Sequence, residues 1–177
     1  VNKVIKMLSN LSFINHSKFG IINLLLLPLS LVFFIVSSIR SCLYKSSILK
    51  VNISKVPIVV VGNITVGGVG KTPVVISIAK YFESKNKKVG IVSRGYGGQY
   101  SQETLEVTST SNPIECGDEP LLIKQQVKAP VVVAKKRAKA VEFLNEKYSL
   151  DVIVSDDGLQ HYSMSRDIEI LVIDGRN

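Results

Sequence analysis

A glycine-rich turn that ends in Lys71 and Thr72 constrains the fold of this chain more than any other feature. The turn, "GGVGKT", lies between an apolar, β-branched run and a helical pattern. It departs from the P-loop pattern G-x-x-x-x-G-K-S/T only at the first position, where Thr65 replaces glycine. A strand, such a turn and a helix in succession predict a loop that binds the phosphates of a nucleotide. The alternative is a turn that only joins a strand to a helix.

The positions of this loop have separate predicted roles. Gly67 and Gly68 leave the backbone free to wrap, so that its N–H groups can point at phosphate oxygens. We expect the Lys71 ammonium to neutralise the β- and γ-phosphates and the Thr72 hydroxyl to bind Mg²⁺. The predicted nucleotide-binding residues are Thr65, Val66, Gly67, Gly68, Val69, Gly70, Lys71 and Thr72.

The segment that precedes this loop is apolar and basic. Residues 19–39 contain no charged side chain, and as a helix rising about 1.5 Å per residue they match the thickness of a bilayer. Residues 1–55 carry seven Lys or Arg and no acidic residue, so most of the net charge of +8 lies there. We therefore expect this segment to meet a membrane with anionic headgroups, and we expect no nucleic acid partner.

The topology of this segment stays open. A signal peptide is less consistent with it, because the apolar run is long and no A-x-A-like site follows. A buried core helix is also less consistent, because the segment has no polar face. Pro28 lies within the run and should kink or break the helix into two arms. Since basic residues flank both ends, either a spanning or a re-entrant segment fits.

After residue 55 short β-branched runs alternate with helical stretches. Near-continuous Val and Ile runs suit strands buried in a parallel sheet, and their alternation with helices predicts βαβ units. The expected fold class is α/β: a P-loop NTPase-like, mostly parallel, doubly wound sheet in residues 56–177, preceded by a membrane-associating segment in residues 1–55. The predicted strands are 57–61, 89–93, 105–108, 130–134, 152–155 and 168–173, and the predicted helices are 72–84, 119–127 and 136–148.

Two acidic motifs extend the predicted site. Asp156 and Asp157, in "LDVIVSDDGLQH", follow an apolar strand at the position from which a Walker-B carboxylate reaches the metal. Asp174, at the end of "IEILVIDG", is the rival candidate, and solvated acids at the start of a loop are the alternative. Asp118, in "CGDEP", precedes a helical run and on its own would be read as a helix N-cap.

The cysteines and histidines predict neither a disulfide nor a zinc site. Cys42 and Cys116 lie far apart with no metal-ligand spacing, which is typical of unpaired thiols in a reducing compartment. His16 and His161 form no zinc-type cluster with them.

Taken together, these motifs resemble one family, the tetraacyldisaccharide 4′-kinases of lipid A biosynthesis. The matching stretches are "VGNITVGGVGKTP", "SRGYGG", "GDEP", the arginine of "VAKKRAKA" and "DDGLQH", in this order. An apolar segment directly before the P-loop also fits, and the resemblance covers essentially the whole chain. It accounts for Thr65, because the family has its own version of the loop.

The resemblance implies an activity, a substrate and cofactors. Members of the family transfer the γ-phosphoryl group of ATP to the 4′-hydroxyl of a tetraacylated glucosamine disaccharide 1-phosphate, giving lipid IVA. The expected substrate is therefore a lipid disaccharide, and the expected cofactors are ATP and Mg²⁺. The expected location is the cytoplasmic face of the bacterial inner membrane, with no protein partner implied.

The resemblance also implies roles for individual residues. Asp118 and Lys71 are the expected catalytic residues. The carboxylate of Asp118 is expected to accept or orient the proton of the sugar hydroxyl. The residues expected to hold the metal or its waters are Thr72, Asp156, Asp157 and Gln160. The residues expected to contact the phosphate and sugar of the substrate are Arg94, Tyr96, Arg137 and His161. For Arg137 the alternative is a solvated charge on a helix face.

The chain departs from the family in length. Family members run well beyond it and carry further motifs after the strand that ends at Asp174. We therefore expect an N-terminal portion of the family's fold or a truncated reading frame, which binds nucleotide and is a weak catalyst or none. Two alternatives stay open. One is a MinD/ParA-type membrane-associated ATPase switch, although Val66 stands where that class has lysine; the other is a nucleotide-binding module without catalysis.

Overall fold

The computed structural model describes residues 21–46, 49, 54–63, 70–100, 102–159, 161 and 163–173. The chain divides into two compact units, Val1–Lys45 and Ser46–Asn177. Part of the predicted site and two further residues discussed above lie outside the described residues: Thr65, Val66, Gly67, Gly68, Val69, Gln160, Asp174 and His16.

In the first unit the structure describes one helix, α1 (Ile21–Lys45). Its large apolar side chains, such as Leu29 and Phe33, are largely exposed. The part Leu26–Tyr44 has 19 residues at a mean hydropathy of 2.0, so by length and composition α1 is able to cross a membrane. Pro28 lies inside α1 without ending it, so a break of the helix at Pro28 is wrong and the kink stays a prediction. Proline removes one backbone hydrogen bond, and the apolar turns on both sides continue the helix.

The second unit alternates strands with helices, as βαβ units do. The strands are β1 (Ile58–Gly62), β2 (Val89–Ser93), β3 (Thr104–Val107), β4 (Val131–Ala134), β5 (Val152–Asp156) and β6 (Ile168–Leu171). The helices are α2 (Lys71–Ser84), α3 (Pro113–Cys116), α4 (Asp118–Gln126) and α5 (Arg137–Lys147). β1, β2, β4 and β5 are buried along their whole length, because their Val and Ile residues pack on both faces.

The strands form one six-stranded sheet in the order β3-β4-β2-β5-β1-β6. Edge strand β3 pairs antiparallel with β4, and the pairs along the rest of the sheet are parallel. In the register of β1 with β5, Val61 lies beside Asp156, so both strands end at the same level.

Helices cover both faces of this sheet. On one face Val75 and Ala79 of α2 and Ile123 of α4 pack into a buried apolar cluster with the strands. On the other face Ala140 and Leu144 of α5 do the same. The sheet is therefore doubly wound, with a separate core on each side.

The predicted α/β class and the doubly wound, mostly parallel sheet are confirmed, and the membrane association of residues 1–55 stays a prediction. The predicted helices and strands differ from the observed ones by at most two residues at either end, and β2 agrees at both ends. The largest difference is in β6, which ends at Leu171 and not at residue 173. The short strand predicted at residues 105–108 is the edge strand β3, and the short helix α3 was not predicted.

Candidate active site

The predicted site residues that the structure describes gather at one edge of the sheet. β4, β2, β5 and β1 are parallel neighbours, so their carboxyl ends lie side by side. Lys71 follows β1, Arg94 follows β2, Arg137 follows β4 and Asp157 follows β5. In open α/β sheets this carboxyl edge is where ligands bind.

Two partners hold the side chain of Lys71 at this edge. Helix α2 begins at Lys71, directly after Gly70 in the left-handed conformation (φ 81°). Lys71 Nζ donates a hydrogen bond to Asn63 Oδ1 at 2.7 Å and forms an ion pair with Asp157 Oδ1 at 3.2 Å. The first N–H groups of a helix have no partner within it, so the start of α2 combines free donors with an ammonium. This combination suits the binding of a phosphate group.

Asp156 is a buried carboxyl group with one oxygen unused. Ser93 Oγ donates a hydrogen bond to Asp156 Oδ2 at 3.3 Å, and Oδ1 has no hydrogen-bond partner among the described residues. Burial, and second the negative charge of Glu119, raise the pKa of Asp156 to about 6. A buried carboxylate without enough partners costs free energy, and a cation at the free oxygen offsets that cost.

The residues at this edge fit a magnesium ion. Mg²⁺ prefers oxygen ligands and usually binds through one or two carboxylates, with water and phosphate oxygens as the remaining ligands. The free Oδ1 of Asp156 and the exposed carboxylate of Asp157 are such ligands, and Thr72 lies in the first turn of α2. Within the described ranges no group of three or more His, Cys, Asp or Glu could hold a metal by itself. Phosphate oxygens of a nucleotide would therefore complete the ligand set.

Arg137 holds the turn at the end of β5 that contains Asp156 and Asp157, which we call the aspartate turn. The Arg137 side chain is 1% exposed and donates to the backbone carbonyls of Ala134 (3.3 Å), Asp156 (2.9 Å) and Asp157 (3.4 Å). Burial lowers the pKa of this guanidinium to about 10, so it stays protonated at neutral pH. The reading of Arg137 as a solvated charge is therefore wrong, because the first residue of α5 points under the aspartate turn. The turn itself holds Asp157 at φ 51°.

Asp118 is an exposed carboxylate at the first position of α4. The N-cap of this helix is Gly117, and no side chain caps it. The N-cap reading of Asp118 is therefore wrong, since the helix begins one residue earlier than predicted. Asp118 and Glu119 lie in the first turn, where the helix dipole stabilises negative charge. The effect of Glu119 on the pKa of Asp156 places the start of α4 within electrostatic range of the aspartate turn.

Arg94, Tyr96 and His161 lie in the loops that leave the same edge. Arg94 is exposed directly after β2, and its charge acts on the pKa of Arg137. The Tyr96 side chain is 81% exposed in the same loop. His161 is half-buried after β5, and its backbone N–H donates to the carbonyl of Gly158 at 3.0 Å. The structure thus places the charge of Arg94 within electrostatic range of Arg137 and leaves Tyr96 open to solvent.

Three residues of this site were not predicted from the sequence: Asn63, Ser93 and Glu119. Asn63 accepts the hydrogen bond of the Lys71 ammonium, Ser93 binds Asp156, and Glu119 raises the pKa of Asp156. Asn63 and Ser93 each stand at the end of a β-branched run, which is the signal that would have found them. Glu119 carries no such signal, because its effect depends on the tertiary placement of α4.

A cavity of ≈ 480 Å³ lies at the opposite, amino edge of the sheet. Its lining includes four lysines: Lys87, Lys88, Lys128 and Lys147. They follow or end helices α2, α4 and α5, where cations complement the negative end of the helix dipole. The helix ends thus explain these charges, and the carboxyl edge is the better candidate for chemistry.

The parallel sheet, the lysine that opens the helix after β1 and the paired aspartates at the end of β5 define a nucleotide-binding protein of the P-loop kinase class. Within this class the chain belongs to the tetraacyldisaccharide-1-P 4′-kinase family, whose family model matches residues 22–177. The resemblance seen in the sequence is therefore confirmed, and the MinD/ParA-type hypothesis is not retained.

Relatives and a solved structure agree with this assignment. The tetraacyldisaccharide 4′-kinase of Ruthia magnifica is 56% identical over 156 residues, which are 88% of this chain and 50% of the relative. That of Mannheimia succiniciproducens is 49% identical over 152 residues, 86% of this chain and 47% of the relative. The crystal structure of the "apo" form of LpxK from Aquifex aeolicus in complex with ATP has a TM-score of 0.73 at 38% identity. The matched part is 82% of this chain and 47% of the LpxK chain.

The chain spans about half the length of the curated relatives it matches. The family assignment therefore rests on this half, which contains the P-loop, the aspartate turn and Asp118.

Proposed function

We propose that this chain is the nucleotide-binding half of an ATP-dependent kinase that phosphorylates the 4′-hydroxyl of tetraacyldisaccharide 1-phosphate, giving lipid IVA. The observation that carries the proposal is the position of the Lys71 ammonium, 3.2 Å from Asp157 at the start of the helix after β1. Family membership supplies the acceptor, since the relatives are named for this kinase activity. The solved LpxK structure in complex with ATP supports ATP as the donor.

The nucleotide would bind with its phosphates over the start of α2. The backbone N–H groups of this first turn and the Lys71 ammonium would take the β- and γ-phosphates. Lys71 would then exchange part of its pairing with Asp157 for phosphate oxygens, which leaves the Asp157 carboxylate free for a cation. We assign the residues Thr65, Val66, Gly67, Gly68, Val69, Gly70 and Thr72 to the same loop.

We assign Asp156, Asp157, Thr72 and Gln160 to the metal site. Bound there, Mg²⁺ would neutralise the negative charge that develops between the β- and γ-phosphates. Asp156 binds a cation only when it is ionised, and its carboxyl is held ionised at neutral pH in spite of burial, because its pKa of about 6 lies below 7.

The acceptor hydroxyl would meet Asp118. An exposed carboxylate at a helix start can accept or orient the proton of the sugar hydroxyl while that oxygen attacks the γ-phosphorus, the bond from this phosphorus to the β–γ bridging oxygen breaks and ADP leaves. We assign Arg94, Tyr96 and His161 to the phosphate and sugar of the acceptor. The sequence led us to expect Arg137 at the substrate; we propose that it instead holds the aspartate turn, because its Nη1 and Nη2 atoms donate to three backbone carbonyls.

The acceptor is a lipid, so the site must work at a membrane. We propose that the apolar helix α1 and the basic residues of segment 1–55 bind the cytoplasmic face of the bacterial inner membrane and its anionic headgroups. Residues 56–177 form the kinase core, and neither part needs a nucleic acid.

The test uses the full-length form, defined here as this chain continued by the C-terminal half of the Ruthia magnifica relative. ATP consumption is measured with and without tetraacyldisaccharide 1-phosphate, and the lipid product is analysed for a new phosphate monoester. The proposal expects consumption that depends on the acceptor, with one phosphate transferred per ATP. Consumption that ignores the acceptor would indicate an ATPase switch, and ATP binding without consumption would indicate a binding module; either result overturns the proposal.

A further inference from the structure

We infer that Gly98 and Gly117 are positioning residues, which fix Asp118 against the end of β2 and thereby set its distance from Asp156. The inference rests on the proposed function of Asp118 as the residue that receives the acceptor's proton. It concerns a contact between the loop after β2 (residues 94–99) and the segment that precedes α4 (residues 114–117), which contains the end of α3 and Gly117. We call this the glycine contact.

On the β2 side the contact is made by backbone atoms. A Cβ added to Gly98 would lie 2.3 Å from the carbonyl oxygen of Glu115, and one added to Gly95 would lie 2.8 Å from that of Cys116. The Gln99 N–H donates to the carbonyl of Ile114 at 2.8 Å. The two loops therefore touch main chain to main chain at these atoms.

On the α4 side the contact is reciprocal. A Cβ on Gly117 would lie 2.8 Å from the carbonyl oxygen of Tyr96, and Gly117 has φ 88° and ψ 154°, a conformation open to glycine alone. Gly117 is the N-cap of α4, so Asp118 follows it with no intervening residue. Any shift of the β2 loop is passed directly to the backbone of Asp118.

The same strand end also holds the metal carboxylate. Ser93, the last residue of β2, donates to Asp156 Oδ2 at 3.3 Å. Residues 93–99 thus contact Asp156 at one end and the start of α4 at the other. Because backbone contacts cannot relax by a change of rotamer, the end of β2 acts as a fixed spacer between the two carboxylates.

The substitution Gly98→Ala tests this spacer in the full-length form. The new methyl group must push Glu115 and the start of α4 away, and a misplacement of about 1 Å can lower turnover by about 100-fold. We expect kcat to fall by roughly 10- to 100-fold. We expect the affinity for MgATP to stay unchanged, because the three atoms nearest to a Cβ on Gly98 belong to Glu115, Gly95 and Cys116 and not to α2 or the aspartate turn. The control is Gln125→Ala, a substitution at an exposed position near the end of α4 and away from Asp118; its kcat should stay near that of the unsubstituted enzyme.

A double-mutant cycle separates positioning from general damage. If Gly98 acts through Asp118, then Gly98→Ala should add little to the loss already caused by Asp118→Asn. Additive losses, or a kcat of Gly98→Ala equal to that of the unsubstituted enzyme, would overturn the inference. If Asp118→Asn itself leaves kcat unchanged, the proposed function of Asp118 fails, which is a separate result.

A readout independent of activity uses this chain alone. Hydrogen exchange of the Gln99 amide should speed up in Gly98→Ala, because its bond to Ile114 lies in the glycine contact. The Ile91 amide, bonded to the Pro130 carbonyl within the sheet, should keep its protection and so show that the fold is intact. Unchanged exchange at Gln99 would show that the two loops are not locked together.

Discussion

Among single residues, Asp118 allows the most direct test of the proposed chemistry. Its exposed carboxylate begins α4, and the helix is capped by Gly117, so the carboxylate is not used to hold the helix. We predict that Asp118→Asn in the full-length form lowers kcat by about 100- to 1000-fold, the lower part of the range for a general base. The amide keeps the shape of the side chain and removes its charge and basicity.

The melting temperature is measured on the same samples. Loss of the Asp118 charge removes a favourable interaction with the helix dipole of only about 0.3–1 kcal/mol, so the melting temperature should change little. A drop in stability that matches the loss of rate would assign Asp118 to the fold, and an unchanged rate would remove it from the site.

The ionised carboxylate of Asp156 should lower the stability of the fold at neutral pH, because it is buried at the proposed metal site while no metal is bound. Its pKa of about 6 in the folded protein is raised above the ordinary 3.8, so the folded carboxyl holds its proton more tightly than the unfolded one. The cost of ionising it is absent below about pH 4, grows as the pH rises, and is complete above about pH 6. We predict that Asp156→Asn stabilises the fold by up to about 3 kcal/mol near pH 8 and not at all below pH 4.

Thermal unfolding as a function of pH, without metal, measures this effect. The matched control is Glu146→Gln, which removes an exposed carboxylate on α5 and should shift the melting temperature little at any pH. An Asp156→Asn protein that is less stable than the parent near pH 8 would show that the carboxylate has partners that offset its burial.

At the scale of elements, α1 carries a prediction of its own. Its exposed apolar side chains and the seven basic residues of segment 1–55 should hold the chain on membranes. We predict that removal of residues 1–55 moves the protein from the vesicle pellet to the supernatant. Binding of the intact chain to vesicles with and without anionic lipid separates the apolar from the electrostatic contribution to membrane binding.

The intact chain provides the control for this prediction. It should be released by detergent and not by high salt, because apolar burial is insensitive to screening. Sedimentation of residues 56–177 with vesicles would reveal a second membrane-binding surface and refute α1 as the sole anchor.

The elements also show what the sequence alone could predict. The strands were found because parallel strands buried on both faces need continuous β-branched runs, such as Ile58–Gly62 and Val152–Asp156. The burial of Arg137 was not predicted, because nothing in the local sequence indicates that the turn after β5 offers backbone carbonyls to it. The glycine contact was missed for the same reason: Gly98 and Gly117 meet only when β2 and α4 are placed in three dimensions.

At the scale of the whole molecule, the sheet order assembles the site. Lys71 and Asp157 are far apart in sequence, and they meet because β1 and β5 are parallel neighbours that end at the same level. The order of the motifs in the sequence identified the residues of the site, and the strand order of the sheet explains why these residues lie close together. The charge is distributed unevenly along the chain. The excess of basic residues lies in residues 1–55, whereas basic and acidic residues are nearly equal in number in residues 56–177, which carry the site.

The central claim is that this edge of the sheet binds the phosphates of ATP through Lys71. The most direct measurement is the affinity of this chain for MgATP by titration calorimetry, compared between the parent, Lys71→Ala and Lys80→Ala. Lys80 lies on the same helix and its ammonium binds Gln126, away from the carboxyl edge, so its loss should leave the affinity unchanged. Hydrogen bonds to charged groups contribute about 1.5–3 kcal/mol, so Lys71→Ala should weaken binding by roughly 10- to 150-fold or abolish it. Equal affinity in the parent and Lys71→Ala would contradict the account.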